Sequence, residues 1–202
     1  MKIKALMIPD PIVITEKASI AEAIEIMKIN SIRHLPVVSE KGYALKGFVT
    51  MADLRLGLIP AMVSDISLSD VMIKKPIVVD PDDDIEMAAQ LIYKHKIGGM
   101  PVVKKNKLVG IITESDILRA FINMMGILSA SSRIDVEVGE DPDAFNKALQ
   151  IIQQCHADII NIGMAAQKSA KRVYYFRLAS CNTQIIKETL EKNGFKVVDI
   201  MG

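Results

Sequence analysis

Two hydrophobic periods alternate along this chain, and each change of period marks an element. Short apolar runs led by proline, Pro11-Ile-Val-Ile and Pro76-Ile-Val-Val, read as strand starts, where a missing N–H is tolerated. A helical period follows each run. Ile20, Ala23, Ile24 and Met27 fall on one face, after a Ser19-Ile-Ala-Glu22 capping-box pattern. Ile85, Ala88, Ala89 and Ile92 do the same further on, with Asp84 placed to cap. Leu35-Pro-Val-Val and Met100-Pro-Val-Val then read as buried strands, each followed by a turn (Gly42; Asn106-Lys107), another strand and a closing helix. In the second closing helix Ile117, Leu118, Phe121, Ile122 and Met125 make an apolar side expected to be buried as one surface.

The two series are copies. Residues 7–38 overlay 72–103 at an offset of 65, with Met7-Ile8 on Met72-Ile73 and Pro36-Val-Val on Pro101-Val-Val. Gly47, Thr50 and Asp53 then match Gly110, Thr113 and Asp116 at an offset of 63, so the intervening loop is two residues shorter in the second copy. Gly-φ-φ-Thr-x-x-Asp (φ apolar) sets a hydroxyl at the end of a strand and a carboxylate at the start of a helix. Thr and Asp there can cap the helix. They can equally meet a sugar or phosphate, since a carboxylate accepts two hydroxyl hydrogens and free helix N–H groups favour anions. Both readings stay open on the sequence.

The copies differ where a ligand would approach. Asp10 precedes the first proline, whereas Lys74-Lys75 precede the second, and an ammonium attracts phosphate where a carboxylate repels it. Arg33-His34 becomes Gly98-Gly99; the glycines let a ligand approach the backbone, while Arg33 and His34 offer donors. Arg55 is out of register with Arg119, so no common phosphate role follows, although Arg119 stays a candidate by itself.

Beyond Met125 the pattern changes. Residues 126–132 read as a helix end and a small polar linker. Arg133-Ile-Asp-Val-Glu-Val138 alternates as a half-buried strand does, Asp141-Pro142 suggests a helix start, and Asp158–Gly163, Val173–Leu178 and Phe195–Ile200 read as further strands, with a helix from Thr183 ended by Gly194.

Composition narrows the function classes. The chain has 202 residues, 50% hydrophobic and 24% charged, with a formal net charge of +1. That is a globular composition with no general attraction to nucleic acid or to an anionic membrane, and 4% aromatics argue against single-strand stacking platforms. Cys155 and Cys181 lack metal-ligand spacing, and His34, His95 and His156 fall in unrelated settings, so no catalytic set and no metal site emerge. Asp82-Asp83-Asp84 reads as a cap with solvated charge. No signal peptide and no membrane-length apolar run is seen, so a cytoplasmic location is expected.

The Met-x-x-x-Pro openings, the Leu/Met-Pro-Val-Val strands, the Thr-x-x-Asp elements and the duplication together resemble a tandem pair of cystathionine-β-synthase-type (CBS) domains, a Bateman module. Residues 133–202 resemble an ACT domain, although Glu140-Asp141-Pro142-Asp143 lacks the glycine common in that turn of ligand-binding members. The CBS–CBS–ACT order is similar to that of acetoin-utilisation-type proteins. The resemblance implies an α+β fold: two β-α-β-β-α units paired through their sheets (1–62 and 63–126), a linker (127–132), and a ferredoxin-like β-α-β-β-α-β domain (133–202). It further implies a non-catalytic regulatory protein that binds an adenine nucleotide, AMP or ATP foremost. Asp53 and Asp116 would hold ribose hydroxyls, Thr50 and Thr113 would lie beside sugar or phosphate, and Ile12, Ile77, Leu35, Met100 and Pro101 would flank the base. Arg33, His34, Lys75, Gly99 and Arg119 complete the candidate set. A homodimer and a regulated partner protein are expected; the alternatives are a dimerisation scaffold with empty clefts and an amino-acid sensor.

Overall fold

The computed structural model describes residues 1–57, 67–128, 131–139, 141, 143–164 and 172–202. It is a mixed α+β chain of two compact units, Met1–Leu118 and Arg119–Gly202.

In the first unit, one three-stranded sheet runs β2 (Ile14–Thr15), β3 (His34–Val38) and β4 (Leu45–Thr50), with β2 parallel to β3 and β4 antiparallel to it. Helix α1 (Ile20–Ile29) joins β2 to β3, and α2 (Met51–Gly57) starts directly after β4. Ser19 and Glu22 form the reciprocal capping box that their spacing predicts. The second copy repeats this with α4 (Ile85–His95), β5 (Gly99–Lys104), β6 (Lys107–Thr113) and α5 (Glu114–Met124). The two Pro-led runs are strand over little of their length. Only Ile14–Thr15 pairs in the first, and only a single parallel bridge, Val79 to Val102, forms in the second.

Each copy's opening segment belongs to the other copy's sheet. Strand β1 (Ile8–Pro9) pairs antiparallel with β6, Ile8 opposite Ile111. Ile73 exchanges both backbone hydrogen bonds with Phe48 of β4, at 3.0 and 2.8 Å. The methionines that open the copies follow the same exchange. A Cβ on Gly47 would lie 2.5 Å from the Met72 sulfur, and one on Gly110 would lie 2.7 Å from the Met7 sulfur. Both strand glycines are therefore seats for the partner copy's thioether. Ile3 is buried with Val79, Met100, Val102 and Ile112 of the second copy, while Leu68 of the short helix α3 (Leu68–Val71) is buried with Ile14, Ile24, Leu35 and Val49 of the first.

The N-terminal segment is further fastened by ion pairs. Lys4 and Lys104 both reach Asp82, at 2.8 and 2.7 Å, and Lys2 reaches Asp84 at 3.0 Å. The Asp82 carboxyl is held down at about 2, chiefly by hydrogen bonds from Lys104 and Lys4. Asp84 occupies the cap position of α4, but its carboxylate makes no cap bond and pairs with Lys2 instead.

The second unit is one antiparallel sheet in the order β10 (Lys196–Met201), β7 (Ser131–Val138), β9 (Arg172–Ala179), β8 (Ile159–Met164), with α6 (Ala144–Gln154) and α7 (Thr183–Lys192) contributing to its core. Ser131 and Ser132, expected in a linker, are the first residues of β7: Ser132 Oγ is tied to the backbone of Cys181 in both directions, which buries it. Glu140 and Pro142 of the turn singled out in the sequence lie outside the described residues. The expected single buried side of α5 is also corrected. Ala120 is buried, but Leu118 and Phe121 are 58% and 52% exposed.

The exchange makes residue 3 a core residue. Ile3→Ala is expected to cost about 2–5 kcal/mol in urea unfolding, as for other buried truncations; a cost near zero would mean that the N-terminal segment does not hold the second copy's core.

Candidate binding cleft

Thr50 closes β4 and Asp53 lies in the first turn of α2. The Asp53 Oδ2 accepts from the Thr50 backbone N–H at 2.9 Å and from the Thr50 hydroxyl at 2.7 Å, while the Asp53 N–H reaches Thr50 Oγ1 at 3.3 Å. Thr113 and Asp116 repeat this arrangement at 3.0, 2.6 and 3.4 Å. The capping reading of the Thr-x-x-Asp spacing therefore holds in both copies. It engages one carboxylate oxygen only. Among the described residues Asp53 Oδ1 has no hydrogen-bond partner, and Asp53 is part-exposed. Asp116 differs: it is 2% exposed.

Asp53 lines a cavity of about 560 Å³. The wall joins Thr50, Met51 and Asp53 of the first copy to Lys75, Pro76 and Ile77, and to Gly98 and Gly99, of the second. The exchange explains this meeting. Ile73 is pinned to Phe48, itself a wall residue, so the chain two residues later delivers Lys75 beside the Thr50–Asp53 element. Backbone bonds complete the frame, from Met51 N–H to the Arg33 carbonyl and from Glu114 N–H to the Gly98 carbonyl, each 3.0 Å.

His34 is the half-buried feature of this wall. Its ring stacks on Phe48, with centroids 5.9 Å apart and planes 17° from parallel. A Cβ on Gly98 would lie 2.7 Å from its Nε2. The glycine at 98 thus makes room for His34, not for a ligand as its sequence suggests; at 99, a Cβ would press on the Ile112 carbonyl oxygen and Thr113 Cγ2, each at 3.0 Å, so strand packing asks for glycine there. Burial, and next the neighbouring Arg33 guanidinium, push the His34 pKa below its ordinary 6.5; Glu114 and Asp53 pull the other way and do not prevail.

Of the candidates read from the sequence, Arg33, His34, Thr50, Asp53, Lys75, Ile77 and Gly99 meet at this one cavity. Thr113, Asp116, Ile12, Leu35, Met100, Pro101 and Arg119 are not on its wall. Leu35 and Met100 point into the two cores, Pro101 is buried, and Ile12 is 41% exposed. Three charged wall residues, Arg55, Lys96 and Glu114, are not among those candidates; Glu114 stands in a loose pair with Arg33 at 3.6 Å. Arg55 was set aside because no arginine matches it in the second copy. Lys96 carries a left-handed cap (φ 55°) at a position where the first copy has Ser31 in the same conformation (φ 53°), a shared geometry that residue type does not reveal. Among the described residues, no group of three or more His, Cys, Asp or Glu side chains is placed to hold a metal ion, and no helix is long and apolar enough to cross a membrane.

The sequence matches the CBS domain over residues 3–59 and again over 68–123. The chain belongs to the CBS-domain family. Its CBS pair is 35% identical over 117 residues to the uncharacterized protein YlbB of Bacillus subtilis, covering 57% of this chain and 79% of that protein. It is 37% identical over 115 residues to the homoserine O-acetyltransferase of Methanocorpusculum labreanum, where 56% of this chain matches only 23% of the enzyme. Among solved structures, the pair resembles AcuB of Vibrio cholerae, named for acetoin utilization (32% identity, TM-score 0.55, 61% of this chain and 91% of that one). It also resembles the CBS pair of protein MJ0100 in complex with 5′-methylthioadenosine and S-adenosylmethionine (31%, 0.55, 60% and 99%), and CBSX2 in complex with AMP (27%, 0.54, 60% and 96%).

The lowered His34 pKa makes the CBS pair sensitive to acid. A buried neutral histidine adds nothing above the unfolded pKa and opposes folding below it, because the unfolded chain takes up the proton first. Unfolding free energy should therefore decline as pH falls below about 6.5. In His34→Gln that part of the decline should be missing; a pH profile parallel to the parent's would mean that His34 ionises freely in the folded state.

Proposed function

We propose that this chain is a regulatory protein without catalytic chemistry, and that its CBS pair binds an adenosine-containing ligand in the Asp53 cleft. The observation that carries this reading is the open Oδ1 of Asp53 on a cavity wall built from both copies. Oδ2 stays on the Thr50 cap while Oδ1 takes a ribose hydroxyl. Pro76, Ile77 and Ile97 offer the base an apolar slot, and Thr50 and Lys75 lie toward the sugar and phosphate. The adenosine ligands held by the CBS pair of MJ0100 and by CBSX2 support the ligand class. Asp116 would serve the equivalent cleft of the other Thr-x-x-Asp element, with Thr113 beside it, and its burial favours the Asp53 cleft for first occupancy. The ligand acts by binding one arrangement of the two copies better than another, which alters contact with a regulated partner.

The second unit is read as an ACT-like, ferredoxin-type domain, from its β-α-β-β-α-β order and its β10-β7-β9-β8 sheet. A role in pairing two chains suits it better than amino-acid sensing. Asp141, in the turn where a ligand would approach α6, is already engaged by the Asp143 N–H and by Lys147. Edge strand β8 meanwhile presents Ile160, Ile162 and Met164 to solvent.

Thermal unfolding with AMP, ATP, 5′-methylthioadenosine and S-adenosylmethionine tests the ligand reading. Ligand at one hundred times its dissociation constant adds about 2.7 kcal/mol to the folded state. Asp53→Asn, which keeps an acceptor for the cap, should retain most of the ligand-free stability and lose most of the shift. Asp53→Ala should also lose about 1 kcal/mol without ligand. An unaltered shift in both variants would sink the ribose assignment.

A further inference from the structure

The charges on the cavity wall are unbalanced. Arg33, Arg55, Lys75 and Lys96 face only Asp53 and Glu114. The two carboxylates are partly committed. Asp53 Oδ2 is bonded to Thr50, and Glu114 stands 3.6 Å from Arg33. The cations are less committed. Among the described residues neither Arg55 nor Lys75 has a hydrogen-bonded or ion-pair partner, and Lys96 rests on the exposed Tyr93 ring, 4.2 Å from its centroid. A chain of net charge +1 thus concentrates surplus positive charge at one concave wall, where screening is weaker than on an open surface.

Resting on the nucleotide reading above, we propose that this cleft discriminates by ligand charge, selecting adenosine ligands that carry a chain of phosphates and rejecting the sulfonium-bearing nucleoside. With the ribose on Asp53, the 5′ substituent faces a wall that holds Lys75 and Arg55. A phosphate chain there finds one ammonium and one guanidinium without partners to displace, and Arg33 can exchange its loose contact with Glu114 for a bidentate phosphate contact. A sulfonium at the same position meets those cations directly, and with Asp53 held by its cap and the ribose, the one other wall carboxylate, Glu114, already stands beside Arg33. The preference is therefore for anionic over neutral and for neutral over cationic ligands, on one and the same nucleoside.

Calorimetric titration of the full chain with 5′-methylthioadenosine, AMP, ADP, ATP and S-adenosylmethionine, without divalent cations, tests this. Affinity should rise about tenfold or more from the neutral nucleoside to ATP, with S-adenosylmethionine weakest, and the ATP advantage should shrink as salt rises from low to physiological strength. Lys75→Ala and Arg55→Ala should each lower the ratio of ATP to 5′-methylthioadenosine affinity several-fold, and the double variant should bring it near unity. S-adenosylmethionine binding as tightly as ATP, or a ratio unmoved in the double variant, overturns charge selection while leaving the nucleoside site standing. Absence of binding by all five, the neutral nucleoside included, overturns the nucleotide reading itself.

Discussion

The first unit depends on a mutual exchange of opening segments. Ile8 pairs into the second copy's sheet and Ile73 into the first's, and each crossing is sealed by a methionine lying on a strand glycine. Backbone pairing sets the position of the crossing, and the missing side chain at Gly47 and Gly110 sets its closeness. Undoing either crossing would expose Ile3 or Leu68 and leave unpaired backbone groups along β6 or β4. The cleft inherits its composition from the same crossing: Lys75, Pro76 and Ile77 reach the Thr50–Asp53 element because Ile73 is held on Phe48.

Much of this architecture was legible in the sequence, and the failures share a cause. Periodicity reports which residues are buried, and it located α1, α4 and the alternating strands β7 to β10 to within a residue or two. It does not report against what they are buried. Ile3 and Leu68 read as members of their own copies and are core residues of the other. Asp84 sits at a cap position, as its residue type suggests, yet the exchanged N-terminus brings Lys2 to it and the ion pair wins. Ser131 and Ser132 look like linker residues, but their hydroxyls are satisfied by Arg177 and by the Cys181 backbone, which admits them to a strand.

The Thr-x-x-Asp element shows why two readings of one motif need not compete. A carboxylate has two oxygens, and the cap uses one. The same bonds that fix the helix start orient the second oxygen, so under the proposed binding one side chain supplies both local stability and a preorganised acceptor. The cations around it were less visible, since they arrive from four separate segments and only the fold assembles them. Lys75 and Arg33 stood out through the contrast between copies; Arg55 and Lys96 did not, because nothing in the other copy matches their chemistry.

The exchanged N-terminus also dictates an order of events during synthesis. Ile8 finds its strand partner at Ile111, about a hundred residues later, so this segment is synthesised well before the strand that buries it. Until β6 is made, Ile3 and Met7 have no core of their own and stay open to other apolar surfaces. The charges that flank them, Lys2 and Lys4, keep that waiting segment hydrated until Asp82 and Asp84 receive them.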